Sequence, residues 1–122
     1  MTAGVQTIQQ RLQELFDHAE VLGVVAASRD GLVLGAVGMP ADQAGLIAAL
    51  GSPLANVAER AMERLGEREP ELLSISSPDG MLHVRGTPDL VLIVVTDRCE
   101  MLPMVALMAH GVRELVAVFS PV

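Results

Sequence analysis

The stretch Val21-Leu22-Gly23-Val24-Val25-Ala26-Ala27-Ser28-Arg29-Asp30-Gly31-Leu32-Val33-Leu34-Gly35-Ala36-Val37 decides the fold. Two short aliphatic runs flank Arg29-Asp30-Gly31. Asp-Gly between such runs marks a hairpin, because a primed turn needs the positive φ that Asp and Gly tolerate. Both runs are apolar at odd and even positions alike. The first, at least, must then be an interior strand covered on both faces.

Working outward, the same signals recur after residue 70. Residues 71–77, the turn Pro78-Asp79-Gly80, residues 81–86 and residues 89–96 read as a three-strand meander. Leu73 and Ile75 alternate with Ser74 and Ser76, and Leu82 and Val84 alternate with His83 and Arg85, so each of these strands has one polar face. Leu90-Val91-Leu92-Ile93-Val94-Val95 is apolar throughout and reads as central.

Three helical patterns surround the strands. Val5, Ile8, Leu12, Leu15, Phe16 and Ala19 form one stripe, predicting a helix over residues 2–20. Met101, Met104, Val105, Met108, Val112, Leu115, Val116 and Phe119 form another, starting near Cys99 or Glu100 because Pro103 is tolerated only in a first turn. Residues 43–65 are helical in pattern, with Asp42 as a possible cap and Gly66 and Pro70 closing the run. Gly51-Ser52-Pro53 sits in the middle of it, which leaves two readings: a kinked helix, or two helices end to end with Ser52 as the second cap. Helix, hairpin, long helix, meander and helix suggest one mostly antiparallel five-stranded sheet, with the first and fifth strands inside and residues 1–122 forming a single domain.

Composition narrows the function. Half of the 122 residues are apolar and only Phe16 and Phe119 are aromatic, so the core is aliphatic. The formal net charge is −7 and there is no lysine. Nucleic-acid binding needs a basic footprint and stacking platforms, and an anionic membrane surface also needs basic groups. The longest strongly apolar runs fall far short of the roughly 18 residues of a membrane span. One cysteine, Cys99, allows no internal disulfide, and no secretory pattern is visible, so a cytoplasmic location is expected.

The order of elements, together with residues 23–34, the Ala-rich helix ending at Leu65-Gly66, the Asp79-Gly80 hairpin and the apolar fifth strand before a Met/Leu-rich helix, resembles the Roadblock family of dynein light chains and their bacterial MglB-type relatives. The resemblance implies an α/β three-layer sandwich, profilin-like, with strand order 2-1-5-4-3, the long helix on one face and the terminal helices on the other. It also implies homodimers whose third strands pair edge to edge while the long helices pack together, and a Ras-like small GTPase of the MglA type as partner.

Candidate sites follow from the same segments. In the long helix, Leu54, Val57, Ala58, Ala61, Met62 and Leu65 suffice to sit on a sheet, while Leu46, Leu50 and Pro53 point toward a second side that Val57 extends. That second face, with Leu72, Ser74 and Ser76 of the alternating third strand, is the expected dimer interface. Arg60 and Arg64 lie among Glu59, Glu63 and Glu67, either as a solvated face with Arg60–Glu63 and Arg64–Glu67 pairs or as a partner-reading patch. Asp30-Gly31 and Asp79-Gly80 are turn chemistry, because neither phosphate-loop spacing occurs. His18, His83 and His110 read as separate surface residues. Cys99, flanked by Asp97 and Glu100, reads as an inert buried thiol rather than a nucleophile. No cofactor, metal or catalytic set is expected. The reading is a non-enzymatic dimeric regulator of a small GTPase; the alternative is a small-ligand sensor of PAS or GAF type, which would need a pocket with convergent polar or aromatic groups.

Overall fold

The computed structural model describes residues 3–18 and 20–119, with side chains from Ile8 to Val118. The expected helix start at Thr2, the side chains of Val5 and Phe119, and Ala19 lie outside the described residues. In chain order the elements are α1 (Ala3–Phe16), β1 (Val21–Ser28), β2 (Val33–Val37), α2 (Ala41–Arg64), β3 (Leu73–Ser77), β4 (Gly80–Gly86), β5 (Leu90–Thr96) and α3 (Met101–Phe119). The strands form one sheet in the order β2-β1-β5-β4-β3, antiparallel at every junction. The expected topology is therefore present.

The two runs that are apolar on both faces are neighbouring interior strands, with Val25 opposite Ile93 and Ala27 opposite Val91. Their side chains divide between two cores. Val24 and Ala26 of β1 with Leu90, Leu92 and Val94 of β5 pack against Ile8, Leu12 and Leu15 of α1 and Met104, Met108, Val112 and Leu115 of α3. Val25, Ala27, Val91 and Ile93 pack on the other face, with Val84, against Ala44, Ala48 and Ala55 of α2. Residues 90–94 are fully buried. At about 1.5–3 kcal/mol for each fully buried large aliphatic side chain, β5 alone anchors much of the fold.

Local chemistry departs from expectation in two places. The β1–β2 connection is closed by Gly31 N–H donating to Ser28 O at 3.0 Å. Only Gly31 has positive φ there, at 88°, and neither Arg29 nor Asp30 does, so the turn is not a primed pair. A register shift between Ala26 and Ala27 supplies the twist that a primed turn would otherwise give. Helix α2 begins at Ala41 with Pro40 as its cap residue and no side-chain cap; Asp42 sits inside the first turn. At the other end Gly66 N–H bonds Glu63 O and Glu67 N–H bonds Met62 O, the paired closure of a Schellman motif.

At Gly51-Ser52-Pro53 the structure removes one of the two open readings. Helix α2 runs through it as a single helix of 24 residues, neither split nor recapped at Ser52. The segment marks the helix's approach to the sheet. A Cβ on Gly51 would overlap Ile93 Cδ1, and the buried Ser52 hydroxyl donates to Ser28 O at 2.8 Å. Pro53, one residue on, is exposed, so its ring points to solvent.

Candidate protein-interaction face on the long helix

The fully buried positions of α2, on its sheet-facing side, are Ala44, Ala48, Gly51, Ser52 and Ala55, with half-buried Ile47 packed beside them. The larger residues expected on that side do not form it: Val57 and Leu65 are exposed, Ala61 is exposed, and Leu54, Ala58 and Met62 are only half-buried. Small side chains let the helix axis come close to β1 and β5, which buries backbone and the sheet's own Val and Ile rather than helix leucines.

The consequence is a second face without cover. Leu46, Leu50 and Val57 are 59%, 56% and 63% exposed, and Pro53 is exposed between them. At 100° per residue these four positions cluster within about 60° of arc, on the side of the helix opposite Ala44, Ala48 and Ala55. Arg60 and Arg64 extend the same stripe toward the C-terminal end, and both are exposed. Neither makes an ion pair among the described residues, so the expected pairs with Glu63 and Glu67 do not form.

The third strand has the placement expected of it. β3 is an edge of the sheet, paired only with β4. Leu72 lies just before the strand and packs against the α1/α3-side core, while Ser76 is exposed. Ser74 is turned inward: its hydroxyl lies 2.6 Å from His83 Nδ1. The interface residues from the helix thus share one exposed stripe, whereas those from β3 offer mainly a strand edge.

Two polar clusters were not legible as such. His83 is wholly buried, not a surface residue. Its Nε2 is 2.9 Å from Thr96 Oγ1, and both Nε2 and Thr96 Oγ1 are 3.6 Å from Cys99 Sγ. Burial holds its pKa below 6.5. The polar face of β4 lies under α3 in a three-layer fold, so alternation marked His83 as polar but could not mark it as exposed. The second cluster centres on Arg29 in the β1–β2 turn. Its guanidinium bonds both carboxylate oxygens of Glu59, Asn56 Oδ1 and, at 3.0 Å, Thr87 O. It ties the turn, α2 and the β4–β5 loop together. A hollow beside it is lined by Arg29, Glu59, Glu63, Arg68 and Thr87, charged and open to solvent. Among the described residues no cluster of three or more His, Cys, Asp or Glu could hold a metal ion.

The family model for the Roadblock/LC7 domain matches residues 7–97, which take in α2 and all five strands. The chain belongs to the Roadblock/LC7 family. No curated protein matches its sequence. Among solved structures it is similar to a Roadblock/LC7 domain from Streptomyces avermitilis, at 22% identity and TM-score 0.83, over 92% of this chain and 97% of that one. MglB from Myxococcus xanthus is similar at 18% identity and TM-score 0.82, over 96% and 90% of the two chains. The gliding protein MglB from Thermus thermophilus is similar at 18% identity and TM-score 0.80, over 98% and 93%. At these identities the likeness is one of Roadblock fold.

Proposed function

We propose that this Roadblock/LC7 chain is a cytoplasmic homodimer that acts as a non-enzymatic adaptor or regulator of a Ras-like small GTPase. The observation that carries the reading is the α2 stripe. A helix that turns Leu46, Leu50, Pro53 and Val57 away from its own core, and small residues toward it, spends its large apolar side chains on another molecule. The edge strand β3 favours a second copy, since edge-to-edge pairing removes an exposed row of backbone donors and acceptors. Likeness of fold to MglB supports a GTPase of the MglA type as the further partner, and Arg60 and Arg64 are the charged groups proposed to meet it. The contribution to the GTPase is conformational: binding one arrangement of its switch loops better than the other shifts their populations.

Light scattering at tens of micromolar, a rough scale for a specific interface, tests the first half; a dimer mass is expected and a monomer overturns it. Titration against each MglA-type GTPase of the source organism, loaded with GDP or a GTP analogue, tests the second. Binding that prefers one nucleotide state is expected, and no binding in either state removes the GTPase reading.

A further inference from the structure

We infer that α2 beyond Ala55 is a projecting arm set in place by a single clasp, and that Arg29 is thereby the positioning residue for Arg60 and Arg64. The arm stands on the structure alone, while its role toward a partner rests on the function proposed above.

Burial along α2 stops early. Its fully buried positions end at Ala55, and neither core takes in any residue of the helix after it. The helix nevertheless runs on to Arg64, a further nine residues. At 1.5 Å per residue that is about 13 Å of helix. The face that Ala48, Ser52 and Ala55 turn to the sheet continues at Glu59, Met62 and Glu63, where small residues give way to carboxylates. A helical segment this short is marginal in water by itself, so the extension needs an outside tie.

Arg29 supplies it. Reaching over from the β1–β2 turn, its Nη1 donates to Glu59 Oε2 and Thr87 O, and its Nη2 donates to Glu59 Oε1 and Asn56 Oδ1. One rigid, planar group thus grips residues 56 and 59 of the helix and fastens them to the β4–β5 loop. Outside the helix's own ladder and closing turn, no other hydrogen bond or ion pair among the described residues joins residues 56–69 to the rest of the molecule. Between the arm and that loop lies the hollow lined by Glu63, Glu67, Arg68 and Thr87, open space rather than packed side chains.

Gly86, at the end of β4, is an independent sign of the same device. Its φ is not positive, so the backbone there accepts a side chain. A Cβ on it would instead overlap Arg29 Nη1 and Glu59 Oε2. The glycine leaves room for the ion pair, not for a turn. Arg60 and Arg64 both lie past the clasp and are exposed. The direction in which they are presented is therefore set by a residue on another element.

Amide hydrogen exchange of the full chain, read residue by residue by NMR, tests the clasp. In Arg29→Ala the amides of residues 60–64 should exchange about tenfold faster or more, while those of residues 44–55 stay within about twofold of the parent. Arg29→Lys should restore little of the protection, because one ammonium cannot reproduce the planar fork. Gly86→Ala should give the same pattern with Arg29 still present, and adding Arg29→Ala to it should change little further. Unchanged exchange at residues 60–64, or loosening spread evenly along α2, overturns the arm. Toward a partner, Arg29→Ala should weaken binding of the GTPase that the parent binds about tenfold. Replacing Arg60 and Arg64 with Ala should then cost less in that background than in the parent. Equal binding by the parent and Arg29→Ala overturns the positioning role while leaving the arm. A parent that binds no GTPase overturns the proposed function instead, and the exchange pattern still decides the arm.

Discussion

His83 and Gly51 show what single positions carry. His83 is buried between β3 and β5, and its pKa is held below 6.5 by loss of solvent. The unfolded chain therefore binds the proton more readily than the folded one. Its contribution to stability is complete above pH 6.5 and is lost as the pH falls through the lower folded value. The thermal midpoint should drop across that window, and His83→Gln should flatten the drop; parallel curves for the two proteins would refute the assignment. Gly51 touches Ile93 so closely that Gly51→Ala should cost about 1–3 kcal/mol in urea unfolding, with Ile93→Val in the same chain returning part of it. Neither position was legible in the sequence. Histidine is polar whether it is exposed or bonded inside, and a glycine beside a serine and a proline reads as a break until the strand pressing on it is known.

At the scale of elements, the strands were the legible part. β1 coincides with the expected run of residues 21–28, and the other strand ends fall within two residues, because alternation and turn residues speak directly about a pleated, half-buried surface. Helix α2 was legible in extent but misread in orientation. Large apolar residues dominate any periodicity argument, whereas the side that seats on the sheet is built mostly of alanine, glycine and serine, with Ile47 the large residue among them, and so carries little hydrophobic signal. The exposed stripe was nevertheless foreseen at Leu46, Leu50, Pro53 and Val57, because an arc that wide has no second cover within so short a chain. Since Leu50 is largely exposed and belongs to neither core, Leu50→Arg should change monomer unfolding by no more than about 0.5 kcal/mol while raising the dimer dissociation constant. A large loss of monomer stability would place Leu50 in the core instead.

For the molecule as a whole, the sheet has two ends of different character. β2 is flanked by α1, where Gln9 Nε2 reaches Ala36 O at 3.2 Å, whereas β3 pairs only with β4. If β3 is the seam, its backbone amides over residues 73–77 should exchange slowly with deuterium in the parent dimer and quickly in the Leu50→Arg variant. Equal rates in both would mean that the dimer leaves that edge open. That the first and fifth strands lie inside was legible from two runs apolar on both faces, whereas the full strand order was implied only by the resemblance to the Roadblock family. The partner's identity was not legible, since a protein-binding face advertises apolar area rather than a name. The aliphatic cores on the two sides of the sheet have one further consequence, an optical one. With no tryptophan, no tyrosine and two phenylalanines, the chain is nearly dark in near-ultraviolet fluorescence. Any tryptophan emission from a mixture then comes wholly from the molecule bound to it, so a docked partner reports its own change of environment without a label.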